Sequence, residues 1–195
     1  MLISSCATKT NNTKSKMDSG LLIENRINRG INYTNLRGDD RSIRYIPITI
    51  TNDTTIPIQF QLNFSKEYYN PKPYDEETFK LVPLPTEWAL DGVDITENMI
   101  VKIPNYIEDP SITKSLEPGE QFVFAIGSIY PRPARSTGVL PRTLFSLTKV
   151  EDFTSCEWLM DKEPRSNERI PLGLKVVFGD KCQVIPCGWI SYPKN

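Results

Sequence analysis

The residues in this 195-residue chain best suited to chemistry are two carboxylate groups, Asp75-Glu76-Glu77 and Glu151-Asp152, a cysteine at position 156, and three arginines, Arg132, Arg135 and Arg142, set among prolines. Paired carboxyls hydrolyse glycosidic bonds when they face each other across a cleft about 5–10 Å wide, one held protonated. Neighbouring carboxylates on one loop are ordinarily just solvated. Histidine is absent altogether, which removes the usual general base near neutral pH, the usual metal ligand and the imidazole of a hydrolytic triad. Cys156 therefore lacks the partner that would make its thiolate, and a buried or bridged cysteine is the better reading. The expectation is a non-catalytic protein without cofactor or metal. A small histidine-independent hydrolase is the one enzyme reading that stays open.

Recognition is better provided for than reaction. The guanidiniums of Arg132, Arg135 and Arg142 suit bidentate pairing with carboxylate or phosphate. Tyr68, Tyr69, Tyr74 and Trp88 offer flat aromatic faces with polar edges, suited to sugar rings and protein surfaces alike. Alternatively, Trp88 belongs to the core and the tyrosines cover an edge of the fold. Trp189, between Gly188 and Ile190 in an apolar run, reads as core. With 23 basic against 24 acidic residues, the chain has no strongly basic field, which argues against nucleic acid as a partner.

The run Leu2-Ile3-Ser4-Ser5-Cys6, a short apolar stretch and two small residues before a cysteine, resembles the end of a bacterial lipoprotein signal. The resemblance implies lipidation at Cys6 and a membrane anchor, each buried methylene adding about 0.8 kcal/mol of affinity. Residues 7–20 are rich in Thr, Asn, Ser and Lys, as in a solvated leash. The expected organisation is a disordered tether over 1–20 and a single domain over 21–195. The expected address is the cell envelope, at the outer membrane. Without lipidation the address becomes the cytoplasm. Removing Cys6 from the count leaves Cys156, Cys182 and Cys187, hence one disulfide of undetermined pairing and one free thiol. If Cys6 is unmodified, the four cysteines form two bridges or stay reduced. Their spacing matches no zinc pattern.

Sixteen prolines and ten glycines divide the chain into pieces suited to strands and turns. From Arg44 to Thr51, Ile46, Ile48 and Ile50 share one face, and Ile56, Ile58, Phe60, Leu62 and Phe64 repeat the alternation. The intervening Asn52-Asp53-Thr54-Thr55 has turn chemistry and also matches glycosylation acceptor patterns; it reads first as a turn, closing a hairpin. Pro47 cannot donate to a ladder, so its strand is expected at an edge or bulged. Thr96 to Val101 suggests a helical turn or two. Leu116-Glu117-Pro118-Gly119-Glu120 is a turn before a central strand over 121–130, and strands over 170–178 and 183–192 form a closing hairpin.

The alternating isoleucines, the Asn-Asp-Thr-Thr turn, the Ile-Pro-Ile restart and the Leu-Glu-Pro-Gly-Glu turn resemble the immunoglobulin-like sandwiches of bacterial envelope proteins. That resemblance covers about half the chain and implies a mainly β, antiparallel sandwich with long Pro-rich loops and at most one short helix. It also implies a scaffold that binds or spaces. The expected function is thus an accessory or adhesion-type envelope lipoprotein that binds another protein. The alternative is a carbohydrate-binding surface lipoprotein.

Overall fold

The isoleucine alternation belongs to a strand of 13 residues that runs through the middle of the molecule. The computed structural model describes residues 13–15, 20–27, 29–70, 78–131, 142–147, 169–178 and 181–192. Numbered along the chain, its strands are β1 (Thr13–Ser15), β2 (Leu21–Asn25), β3 (Arg29–Thr34), β4 (Asp40–Asn52), β5 (Ile58–Asn63) and β6 (Lys80–Leu84). After a helical segment come β7 (Ser111–Leu116), β8 (Gln121–Tyr130), β9 (Arg142–Leu147), β10 (Ile170–Phe178) and β11 (Lys181–Ser191). The molecule is mainly β. One antiparallel sheet has the order β1-β2-β4-β8-β6, with β3 also beside β4, and a second has the order β7-β5-β11-β10-β9. The leash expected over 1–20 thus contributes a short strand, β1, at the edge of the first sheet.

The shared core lies between the sheets. Ile46, Ile48 and Ile50 of β4 meet Phe60, Leu62, Phe145, Leu172 and Leu174 from the opposite sheet, all buried. Phe60, Phe124 and Phe145 form an aromatic centre, with centroid separations of 5.7, 6.4 and 6.0 Å. Such edge-on and tilted pairs add to the burial of their area.

The strand expected to be half-buried is covered on both sides. Ile43 and Tyr45 on its second face join a separate buried cluster with Val82, Leu84, Trp88, Ala89, Ile103, Ala125 and Ile129. This cluster lies beneath the segment after β6. There a 3-10 turn (Thr86–Trp88) leads to α1 (Glu97–Ile100) and α2 (Ile103–Glu108). The helical turn expected near Thr96 is α1, and it continues past Val101 and Lys102 into α2. Pro104 in the first turn of α2 lacks a donor that an α-helix leaves free there.

Three further expectations change. First, β4 is central, paired with β2 and β3 on one side and β8 on the other. The Pro47 carbonyl accepts a hydrogen bond from the Arg26 N–H at 2.9 Å, so its donor-less nitrogen faces the same side. There the neighbouring strand is broken, β2 ending opposite Ile48 and β3 starting opposite Tyr45.

Second, β4 and β5 form no hairpin, because the Asn52 turn carries the chain from one sheet to the other. Asn52 is fully buried; its Nδ2 donates to the carbonyls of Ile56 and Leu116 at 2.8 and 2.9 Å, and its Oδ1 accepts from the Thr54 N–H and hydroxyl. An amide so engaged is a structural joint rather than a glycan acceptor. Third, Trp189 is half-buried rather than core, with the Arg169 guanidinium 4.3 Å from its ring centroid. The turn at Pro118-Gly119 and the closing β10–β11 hairpin match expectation.

Candidate functional site

The outer face of the first sheet is only partly roofed by α1 and α2. Where the roof ends, an open cleft of about 350 Å³ remains. Its helical wall is largely apolar, with Ile100, Val101, Ile103, Pro104 and Ile107 beside Glu97. The facing rim comes from the end of β3 and its turn, Tyr33 to Leu36, and the floor from Arg41, Lys80, Ile129, Tyr130 and Pro131. Tyr68 closes one side.

Strand pairing sets the floor. Tyr33 lies opposite Arg41 across the β3–β4 ladder, and Ile129 lies opposite both Ile43 and Lys80, so these residues share one face. The β3–β4 turn is held by Asn35, whose Oδ1 accepts the N–H groups of Arg37 and Asp39, both at 2.9 Å. Gly38 takes the left-handed conformation that the turn needs (φ 83°).

Charge in the cleft is uneven. Arg41 pairs with Asp39 at 2.9 Å and donates to the Pro131 carbonyl. Lys80 places its ammonium 4.8 Å from the centre of the Tyr68 ring, a cation–π contact. Glu97 on the helical wall is the one carboxylate of the lining. Burial raises the Tyr33 phenol above its ordinary pKa, an effect that Arg41 opposes. Tyr33 therefore stays a neutral O–H donor across physiological pH. The lining thus sets a largely apolar wall against cations and phenols.

The expected aromatic group is divided. Tyr68 is 52% exposed and lines the cleft. Tyr69 turns towards the core, its ring stacked on Phe79 at 5.8 Å and its hydroxyl accepting the Ser65 N–H. Trp88 is 1% exposed and meets Tyr45 edge-on at 5.3 Å, so it presents no face to a ligand. This is the alternative in which Trp88 is core. Tyr74, Arg132, Arg135, Cys156, Cys6 and the two acidic groups lie outside the described residues, as do the side chains of Arg142 and Cys182.

Cys187 is a free, fully buried thiol, and burial pushes its pKa far up. Cys187 thus takes no part in a disulfide. Among the described residues no group of three Cys, Asp or Glu side chains is placed to hold a metal ion, and no helix is long and apolar enough to cross a membrane.

Sequence reasoning missed Tyr33, Arg41, Lys80 and Ile129. They come from four strands, and only their cross-strand register unites them. The available signal was the apolar second face of β4, where Ile43 and Tyr45 demand a covering layer. No protein-family model, no curated protein and no solved structure matches this chain.

Proposed function

We propose that this chain is a non-catalytic lipoprotein of the cell envelope. In this reading Cys6 carries the lipid, and an immunoglobulin-like sandwich serves as an accessory module that binds another protein. The cleft beside α1 and α2 carries the reading, since a rigid two-sheet frame holds an apolar wall against a cationic, phenolic floor. The repeated passage between sheets, at Asn52 and again at Pro118-Gly119, supports the sandwich.

Two measurements test it. Radiolabelled palmitate should enter the full-length chain and not its Cys6→Ser variant; an unlabelled wild type overturns the anchor. A photo-crosslinking residue at position 68 should capture an envelope protein in cells. The same residue on the exposed opposite sheet, at position 59, should not. Equal capture at both positions overturns the cleft as the binding site.

One observation favours the second reading, a carbohydrate ligand: Tyr68 stands at the mouth of the cleft beside Lys80. A glycan array probed with the wild type and Tyr68→Ala separates the two.

A further inference from the structure

The proposed cleft has a size and charge pattern that select one part of a partner. A volume of about 350 Å³ lies near the lower end of the roughly 300–1,000 Å³ typical of small-ligand sites. That is room for one or two residues, not for a helix or strand laid across. The occupant must also answer the charge. Among the described residues Arg41 already has Asp39, whereas no ion pair joins Lys80 to a carboxylate. Glu97 is alone on the opposite wall.

We infer that the cleft takes the C-terminal residue of a partner polypeptide, its carboxylate directed to Lys80 and its apolar side chain laid against Ile100, Ile103 and Ile107. The inference rests on the protein-binding reading and deepens it. A polypeptide backbone carries negative charge only at its C-terminus. The N-terminus has the wrong sign for this floor, and an internal segment brings a carboxylate only on an Asp or Glu side chain. A neutral sugar fits poorly too. It would leave the Lys80 ammonium without a counter-charge and lay its hydroxyls against Ile100, Val101, Ile103, Pro104 and Ile107, where Glu97 is the one polar side chain of the helical wall. The Tyr33 O–H remains a donor on the floor at neutral pH. The cation–π contact with Tyr68 holds the Lys80 ammonium at the side of the cleft, where a carboxylate finds it already placed.

The test uses the full chain, labelled with ¹⁵N, and two N-acetylated hexapeptides that both end in leucine. One has a free carboxylate and the other a C-terminal amide. The free acid is expected to shift amide signals of Tyr33, Lys80, Ile103 and Ile129, with the amide binding at least tenfold more weakly. Lys80→Gln should reduce the acid to the amide's affinity, and Lys80→Arg should restore most of it. Equal binding of acid and amide overturns the inference. So do shifts confined to other surfaces, no binding of either peptide, or displacement of the acid by a neutral oligosaccharide. The protein-binding reading fails separately. A partner captured at position 68 whose C-terminus tolerates an added tag overturns the C-terminal inference and leaves that reading standing.

Discussion

The side-chain amide of Asn25 is paired with the backbone of Phe145 as one strand residue pairs with another: Nδ2 donates to the Phe145 carbonyl at 2.9 Å, and the Phe145 N–H donates to Oδ1 at 2.8 Å. The two residues are 120 apart in sequence and both buried. Asn25 ends β2 in one sheet, and Phe145 lies in β9 at the edge of the other, so one amide clips the sheets together. Replacing Asn25 by Ala leaves a buried N–H and a buried carbonyl unpaired, each costing about 1–3 kcal/mol. Urea denaturation should show a loss of about 2–4 kcal/mol with an unchanged m-value. A loss below about 0.5 kcal/mol would mean that water replaces the amide.

Asn25→Asp should have a pH signature that Asn25→Ala lacks. An ionised carboxylate can still accept the Phe145 N–H but repels the carbonyl and loses solvation; the protonated acid can serve both. Its folded-state pKa is therefore raised, so the variant is most stable below the unfolded carboxyl pKa and weakens as pH rises through the folded value. Midpoints measured between pH 3 and 7 should fall relative to wild type as pH increases. Parallel profiles would show that the site is open to solvent.

Two glycines should respond very differently to alanine. At Gly188 an added Cβ would lie 2.9 Å from both the Gln61 carbonyl carbon and the Leu62 Cα, backbone atoms of the paired strand β5. Neither atom can yield without breaking the β5–β11 ladder. At Gly119 the backbone is left-handed (φ 76°) but nothing lies within 4 Å of an added Cβ. Gly119→Ala should cost about 1 kcal/mol, the conformational term alone. Gly188→Ala should cost at least about 3 kcal/mol or prevent folding. Comparable denaturation midpoints for the two would contradict the close approach.

How far the fold could be read in advance follows from what periodicity reports. Alternation tells which side chains share a face, and it placed Ile46, Ile48, Ile50, Phe60 and Leu62 in the core, where they lie. It does not tell which strand lies alongside. The step between sheets at Asn52 depends on buried bonds to Leu116, 64 residues away, and a local turn signal cannot distinguish that from a hairpin. Tyr68 was legible as an exposed aromatic. Its companions in the cleft were not, because Arg41 and Lys80 look like ordinary solvated charges until register sets them beside Tyr33 and Ile129. The helical roof was faint for another reason. Four and six residues are too few for a 3.6-residue period to stand out, and packing on Tyr45 and Ile129 rather than helix propensity holds them.

Lys114 guards an edge. It belongs to β7, which pairs only with β5 among the described strands, yet it lies opposite buried Phe60, with its ammonium 5.3 Å from the Phe122 ring centre and 2.9 Å from a Glu120 oxygen. An inward charge on an edge strand makes addition of a further strand costly, since the charge would have to be covered. Lys114→Val should leave the monomer as stable or more so while promoting self-association. Sedimentation velocity over a hundredfold concentration range should show dimer or larger species for the variant alone. A variant that stays monomeric throughout removes this role.

Cys187 should be chemically silent in the native state. It is 1% exposed in the core beside the β-bulge between Leu172 and Gly173, and burial holds its thiol far above the ordinary pKa. Alkylation needs a thiolate that reagent can reach. Iodoacetamide at pH 8 followed by peptide mass spectrometry should find Cys187 unmodified in folded protein and fully modified in 6 M guanidinium. Native labelling at a rate proportional to reagent would place the thiol at the surface.

Glu120 supplies a pH dependence whose sign can be worked out from its contacts. Its carboxylate accepts the Glu117 N–H at 2.9 Å and pairs with Lys114, and these lower its pKa below the ordinary 4.5. Protonation removes the charge that strengthens both contacts. Because the folded-state pKa is the depressed one, the stabilisation is fully present above the unfolded value and is lost as pH falls through the folded value. The site is solvent-exposed, so the contribution is small and salt should weaken it. The carboxyl ¹³C signal of Glu120 should therefore titrate below the ordinary glutamate value of 4.5. Lys114→Met should move it only partway back, because the Glu117 N–H, the larger cause, remains. A full return to 4.5 in that variant would assign the depression to the ion pair and deny the backbone bond its part.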